Sequence, residues 1–156
     1  MTVTFRRALP GDAPACVVMR GKTRQNAISP ERLAELGITP VSWAAQIESG
    51  QLPGHVCFDD GALVGYCFGD IGTGEVVVLA LLPVAEGQGL GKMLLDRVMQ
   101  DLRARGHRRL FLGCSADPES RSYGFYRHLG WRSTGQADAQ GDEVLEHLFD
   151  RAGGDA

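Results

Sequence analysis

The sequence predicts an α/β (α+β) fold in a single domain, with a mixed, mostly antiparallel central sheet flanked by helices. Three stretches carry that expectation. Residues 55–58 and 63–69 are apolar runs on either side of Asp60-Gly61, a dipeptide suited to a two-residue hairpin turn. Residues 75–82 open on Glu75 and are then apolar for seven residues and rich in valine, closed by Pro83, as in a strand covered on both faces and therefore central. Directly after them, Glu86-Gly87-Gln88-Gly89-Leu90-Gly91-Lys92 opens into a strongly helical run, residues 93–105, and a further short apolar strand follows at 110–113. A strand, helix, strand order of this kind is a parallel crossover.

The remaining elements follow in order. Residues 3–7 alternate as a short strand, and Pro10-Gly11-Asp12 makes a turn with Asp12 as N-cap of a helix reaching to about Arg24. Ser29-Pro30 and Thr39-Pro40 each set a capping side chain before a proline suited to the first helical position, which places short helices at 31–36 and 41–49. Gly72-Thr73-Gly74 is the turn into the valine-rich strand. Beyond the loop, Leu90, Met93, Leu94, Val98 and Leu102 share one helical face, and Gly106 stops the helix. A helix over 118–129 ends at Gly130, two strands follow at 131–136 and 143–149 with a turn at Gln140-Gly141-Asp142, and the domain closes near residue 150, leaving 151–156 as a frayed tail.

Composition narrows the function. With 44% hydrophobic and 22% charged residues and a formal charge of -3, the chain has the balance of an ordinary globular protein, without the bulk positive charge that nucleic acid or an anionic membrane surface attracts. The basic group Arg103, Arg105, His107, Arg108 and Arg109 lacks interleaved aromatic residues and reads as a solvated face. No apolar stretch reaches the roughly 18 residues of a membrane span, and residues 1–7 lack a signal-peptide core, so a cytoplasmic protein is expected. Cys16, Cys57, Cys67 and Cys114 form no C-x-x-C pair and have no histidine at metal-ligand spacing, so no metal site is expected and the cysteines read as reduced thiols, mostly in the core. A two-residue turn at Asp60-Gly61 sets Cys57 opposite Val64, facing away from Cys67. His55, His128 and His147 have no partner pattern.

The glycine-rich stretch joins a strand end to a helix N-terminus, where uncapped backbone N–H groups and the helix dipole favour an anion. A Walker-type loop fails, because position 86 is Glu rather than Gly and position 93 is Met rather than Ser or Thr. A dinucleotide fingerprint fails too, because Gly89 and Gly91 stand too close together. A nucleotide phosphotransferase is disfavoured on the first count.

What remains, G-x-G-x-G-K after a buried strand ending in proline, resembles the loop of the GNAT-type N-acetyltransferases. That signature is Arg or Gln, two residues, Gly, one residue, then Gly or Ala; Gly89 and Gly91 match it and Glu86 departs from it. A second stretch, Phe125-Tyr126-Arg127-His128-Leu129-Gly130-Trp131, matches the aromatic-Tyr, three residues, Gly-aromatic segment that these enzymes carry downstream. The likeness is carried by residues 75–132, with residues 4–63 agreeing in order of elements. It implies a GNAT-like acyl-CoA N-acyltransferase fold and direct transfer of the acetyl group of acetyl-CoA, a co-substrate needing no metal, to a primary amine through a tetrahedral intermediate. A non-catalytic acyl-CoA-binding or scaffold domain is the alternative that Glu86 encourages.

The resemblance also assigns residues. Gly87, Gln88, Gly89, Leu90, Gly91 and Lys92 cradle the pyrophosphate. Leu79, Ala80 and Leu81 pair with the pantetheine arm, and the amide of Leu81 or Leu82 faces the thioester oxygen. Tyr126 is the general acid, since a thiol of pKa about 8.5 leaves as a thiolate that a phenol near 10 can protonate. Glu75 relays the acceptor's proton, with Asp142 and Glu143 as alternatives. Ser122 and Arg121 touch the pantetheine or phosphates, although the Asn of relatives is replaced near there by Glu119. The acceptor, a small-molecule or peptide amine, is walled by residues 20–43, which carry Arg24, Asn26, Glu31 and Trp43. A homodimer is compatible with this family.

Overall fold

The computed structural model describes residues 2–23 and 27–149 of the chain. It begins with β1 (Val3–Arg7), a 3-10 turn (Pro10–Asp12) and three helices, α1 (Ala13–Arg20), α2 (Pro30–Glu35) and α3 (Pro40–Glu48). The meander β2 (Gly54–Asp59), β3 (Ala62–Gly69) and β4 (Val76–Leu81) follows, then a 3-10 turn (Pro83–Ala85) and the long helix α4 (Leu90–Ala104). The chain closes with β5 (Arg109–Cys114), α5 (Arg121–His128), β6 (Arg132–Ala137) and β7 (Glu143–Leu148). No helix among the described residues is long and apolar enough to cross a membrane.

Local chemistry explains most boundaries. Ser29 accepts the Arg32 N–H at 3.1 Å to cap α2, and Thr39 and Ser42 exchange side-chain and backbone bonds at 3.0 and 2.9 Å to cap α3, each before a proline at the first helical position. The tail at 151–156 lies outside the described residues, as do Arg24 and Asn26. Two helix starts differ in detail from expectation. Asp12 is the N-cap residue of α1 as expected, but its carboxylate makes no cap bond; it binds Arg6 at 2.8 Å and accepts the Leu9 N–H at 2.7 Å, tying the 3-10 turn to β1. The later helix begins at Arg121 rather than at Pro118, because Ser120 accepts the Tyr123 N–H at 3.3 Å and so sets the cap. At the other end α1 stops at Arg20, where Gly21 is the C-cap.

The strands form two antiparallel sheets, β1-β2-β3-β4 and β5-β7-β6. The hairpin turn is as expected, with Asp60 and Gly61 at φ of 52° and 86° between the paired residues Asp59 and Ala62. A bulge between Cys57 and Phe58 then shifts the register, so Cys57 lies opposite Gly65, not Val64. All four cysteines are buried free thiols. The first sheet is covered on both faces: Cys57, Val64 and Cys67 meet α4 and the second sheet, while Val56, Tyr66, Phe68 and Ala80 meet α1, α2 and α3. Gly65 and Gly69 make a flat seat for α4. A Cβ at Gly65 would stand 3.1 Å from Leu94, and one at Gly69 2.8 Å from Val98.

The central-strand expectation for residues 75–82 is corrected in one respect. β4 is the last strand of its sheet, and it meets β5 only at a parallel bridge between Glu75 and Phe111. Beyond that bridge the two sheets part, and Val77, expected to be covered, is 43% exposed.

Candidate active site

The parting of β4 and β5 opens a cleft of about 780 Å³. Its first wall is the unpaired edge of β4. Leu82 donates its N–H to Val64 at 2.9 Å, and the β3 register sets Ala80 opposite Tyr66 and Leu79 opposite Cys67. Antiparallel pairs alternate in hydrogen bonding, so Leu82 and Ala80 give their backbone groups to β3 while Leu81 and Leu79 point theirs into the cleft. Of the amides expected at the thioester, Leu82 is therefore excluded. Ala80 contributes to the wall but not through its backbone.

The second element is the glycine loop. Gly87 and Gly89 sit at φ of 81° and 80°, a region that side chains avoid, and this is what the two glycines are for. Gly89 is the N-cap of α4 and provides no side-chain cap, so the first N–H groups of a 15-residue helix face the cleft with its dipole behind them. Gly91 lets α4 approach the opposite walls, since a Cβ there would lie 3.2 Å from Leu81 and 3.6 Å from Phe125. Gly87, Gly89, Leu90, Gly91 and Lys92 all line the cleft; Gln88 does not, its side-chain amide instead donating to the Val84 carbonyl at 3.2 Å. The Lys92 ammonium pairs with Asp96 at 2.8 Å, one turn along the helix.

The far wall is built from Leu112, Gly113 and Cys114 of β5 and from Ser122, Phe125 and Tyr126 of α5. The Tyr126 ring packs edge-on against Phe125 at 5.0 Å and Trp131 at 5.9 Å. Burial, with the Cys67 and Cys114 thiols beside it, pushes the phenol well above its ordinary range. It keeps its proton through neutral pH. Cys67, one of those thiols, is the register partner of Leu79 on β4.

Carboxylates ring the cleft's inner end. Glu75 is not on its lining; the residue sits at the fork, where burial, Asp70 and Asp138 raise its carboxyl. Asp142, on the β6–β7 hairpin, does line the cleft, and burial together with Asp138 raises it as well. Asp138 lies over Gly113, whose missing side chain makes the room. Glu143 bonds Arg127 at 2.6 Å, which holds its carboxyl below the usual range and suits it poorly to take a proton. At the outer end the wall comes from Arg20, Thr23, Ala27 and Ile28. Of the acceptor residues expected there, Trp43 is core, packed edge-on against Tyr66 at 5.6 Å and Phe68 at 5.3 Å, and Glu31 is exposed on α2 away from the cleft. Phe125 was legible only as the aromatic of the Tyr126 segment, without a role of its own, and Cys114 carried no signal, being a thiol in an otherwise core-like run.

Residues 25–131 match the Acetyltransferase (GNAT) family. Over 75 residues, 46% of this chain, the sequence is 40% identical to the mycothiol acetyltransferase of Beutenbergia cavernae; the match takes in 25% of that protein, so the chain spans about a quarter of the length of this curated relative. The fold superposes on the PaiA N-acetyltransferase from Thermoplasma acidophilum in complex with coenzyme A with a TM-score of 0.78, at 19% identity and covering 96% of this chain and 100% of that one. It also superposes on the phosphinothricin acetyltransferase from Sinorhizobium meliloti in complex with acetyl-CoA, with a TM-score of 0.72, 23% identity and coverage of 96% and 89%.

Proposed function

The chain belongs to the acetyltransferase (GNAT) family, and from that premise we propose that it transfers the acetyl group of acetyl-CoA to a primary amine of a small molecule or peptide, with residues 1–150 acting as one catalytic domain. One observation carries the reading. A single cleft holds the unpaired edge of β4, the uncapped N-terminus of α4 and the Tyr126 phenol. An extended acyl thioester ending in a diphosphate fits that combination, because the strand edge pairs with amides and the helix end binds an anion.

Acetyl-CoA supplies an activated acyl group; the chain supplies position, charge stabilisation and proton movement. The amides of the glycine loop and the first turn of α4 hold the diphosphate. Leu81, nearer that loop, pairs with the pantetheine arm. Leu79, two residues deeper and paired in register with the Cys67 that neighbours Tyr126, aims its N–H where negative charge develops on the acyl oxygen. Tyr126 then donates its proton to the departing sulfur, as burial keeps it in the protonated form. Asp142 takes the proton of the attacking amine, directly or through water, since it lines the cleft with a raised carboxyl; Glu75 acts behind it from the fork.

Thermal-shift measurements with acetyl-CoA followed by a thiol-release assay over an amine panel test the reading. Stabilisation with release is expected. Stabilisation without release over a broad panel would mean a binding domain, and no stabilisation would remove the acetyl-CoA reading altogether.

A further inference from the structure

Glu86 stands where the family pattern has Arg or Gln, and its side chain is not idle. It is only 14% exposed and reaches across the cleft mouth to Arg121, Oε1 to Nε, at 3.7 Å. The two residues belong to opposite walls: Glu86 leads from the Pro83–Ala85 turn into the glycine loop, and Arg121 is the first residue of α5. Both line the cleft, and the guanidinium is 59% exposed there. The loop's own cation is engaged elsewhere, since Lys92 pairs with Asp96. A carboxylate alone beside a diphosphate site repels the ligand, so its retention needs a cation to answer it. Arginine offers five donors in a planar fork, and a carboxylate on the Nε edge orients that fork without exhausting it.

We propose that Glu86 is a positioning residue: it turns Arg121, which the resemblance already sets near the pantetheine or phosphates, onto a phosphate of the diphosphate, so that the cation which the pattern puts on the loop is delivered here from α5. This rests on the acetyl-CoA reading above and adds a coupling to it. Ser122 and Tyr126 ride on the same helix, so engaging the diphosphate also seats the proton donor against β4.

Two donors separate this from a structural role: acetyl-CoA, and S-acetylpantetheine, which has the arm without the diphosphate. Dissociation constants from calorimetry are compared for the unaltered protein, Arg121→Ala, Glu86→Gln and the double variant. Arg121→Ala weakens acetyl-CoA by about tenfold and leaves S-acetylpantetheine within about twofold. Glu86→Gln weakens acetyl-CoA by about threefold although it removes a negative charge, and the double variant is no worse than Arg121→Ala alone. Tighter acetyl-CoA binding in Glu86→Gln would overturn the proposal, because it would make Glu86 a mere repulsive neighbour. Equal losses for both donors would overturn it too, by assigning the pair to the shape of the cleft. An unaltered protein that binds acetyl-CoA while Arg121→Ala binds it equally well defeats only this inference; an unaltered protein that does not bind acetyl-CoA defeats the preceding reading with it.

Discussion

Replacing Tyr126 by Phe removes one oxygen from the cleft and is the sharpest test of the chemistry. The phenol is 8% exposed, walled by Phe125 and Trp131, and no hydrogen bond to its hydroxyl occurs among the described residues. Folding therefore loses no bond, and stability to urea should change by less than about 0.5 kcal/mol. Catalysis loses its donor. General acids contribute on the order of 10²- to 10⁴-fold, and because Ser122 stands one turn away and can relay a water, the lower end applies: kcat should fall about 100-fold with both KM values nearly unchanged. The leaving group gives an internal control. An acetyl thioester of an acidic aryl thiol departs without protonation, so the variant should lose far less against that donor. Because burial raises the phenol above its ordinary pKa of about 10, Tyr126 stays protonated and should add no alkaline decline to kcat below about pH 10. Undiminished kcat, or equal losses against both donors, would remove Tyr126 from the mechanism.

Other outcomes follow from the same geometry. Asp142 must be ionised to accept a proton, and its raised carboxyl places the acidic limb of kcat/KM above the usual carboxylate range; Asp142→Asn should abolish that limb and lower kcat/KM by about tenfold or more, read from pH–rate profiles. His55 is buried, its Nε2 donating to the Asp101 carboxylate at 2.9 Å, and Asp101 also accepts two bonds from Arg7 at 3.0 and 3.1 Å. Burial lowers the His55 pKa below its unfolded value of 6.5, so the unfolded chain takes the proton first; stability held above pH 6.5 drains as pH falls through the native pKa, and Tm should drop less between pH 6.5 and 5 in His55→Gln than in the unaltered protein. Gly65→Ala sets a Cβ 2.5 Å from Leu81 and 3.2 Å from the Ala80 carbonyl oxygen, which should cost about 1–3 kcal/mol in urea unfolding.

Features written in local chemistry were legible from the sequence, and features written in pairing were not. The Asp60-Gly61 turn, the Ser29 and Thr39 caps and the glycine loop each follow from a few adjacent residues, and the structure has them all. The bulge that sets Cys57 against Gly65 left no mark, because it depends on how two strands accommodate each other rather than on either alone. The valine run of β4 reads as fully covered for a related reason: hydrophobicity records that a strand faces apolar surroundings, without saying whether a protein strand or the arm of a ligand supplies them. Asp12 holds the N-cap position that the sequence indicates, but its carboxylate is drawn off because it also suits an arginine on the neighbouring strand, and Arg6 is there. In the site, the backbone and phenol groups follow from the motif, whereas choosing among carboxylates needed the fold, which sets Glu75 at the fork, ties Glu143 to Arg127 and turns Asp142 inward.

Among the described residues, the bridge between Glu75 and Phe111, made through the Phe111 N–H on the Gly74 carbonyl at 3.2 Å, is the one backbone pairing that joins the two sheets along this edge. Each sheet keeps its own ladder, and one buried core of Cys67, Val76, Leu110, Leu112 and Leu145 with α4 spans the two, so the fork is held open by packing rather than by pairing. An extended chain of amides can then take the place of the missing neighbour strand along β4 without any existing ladder having to open first.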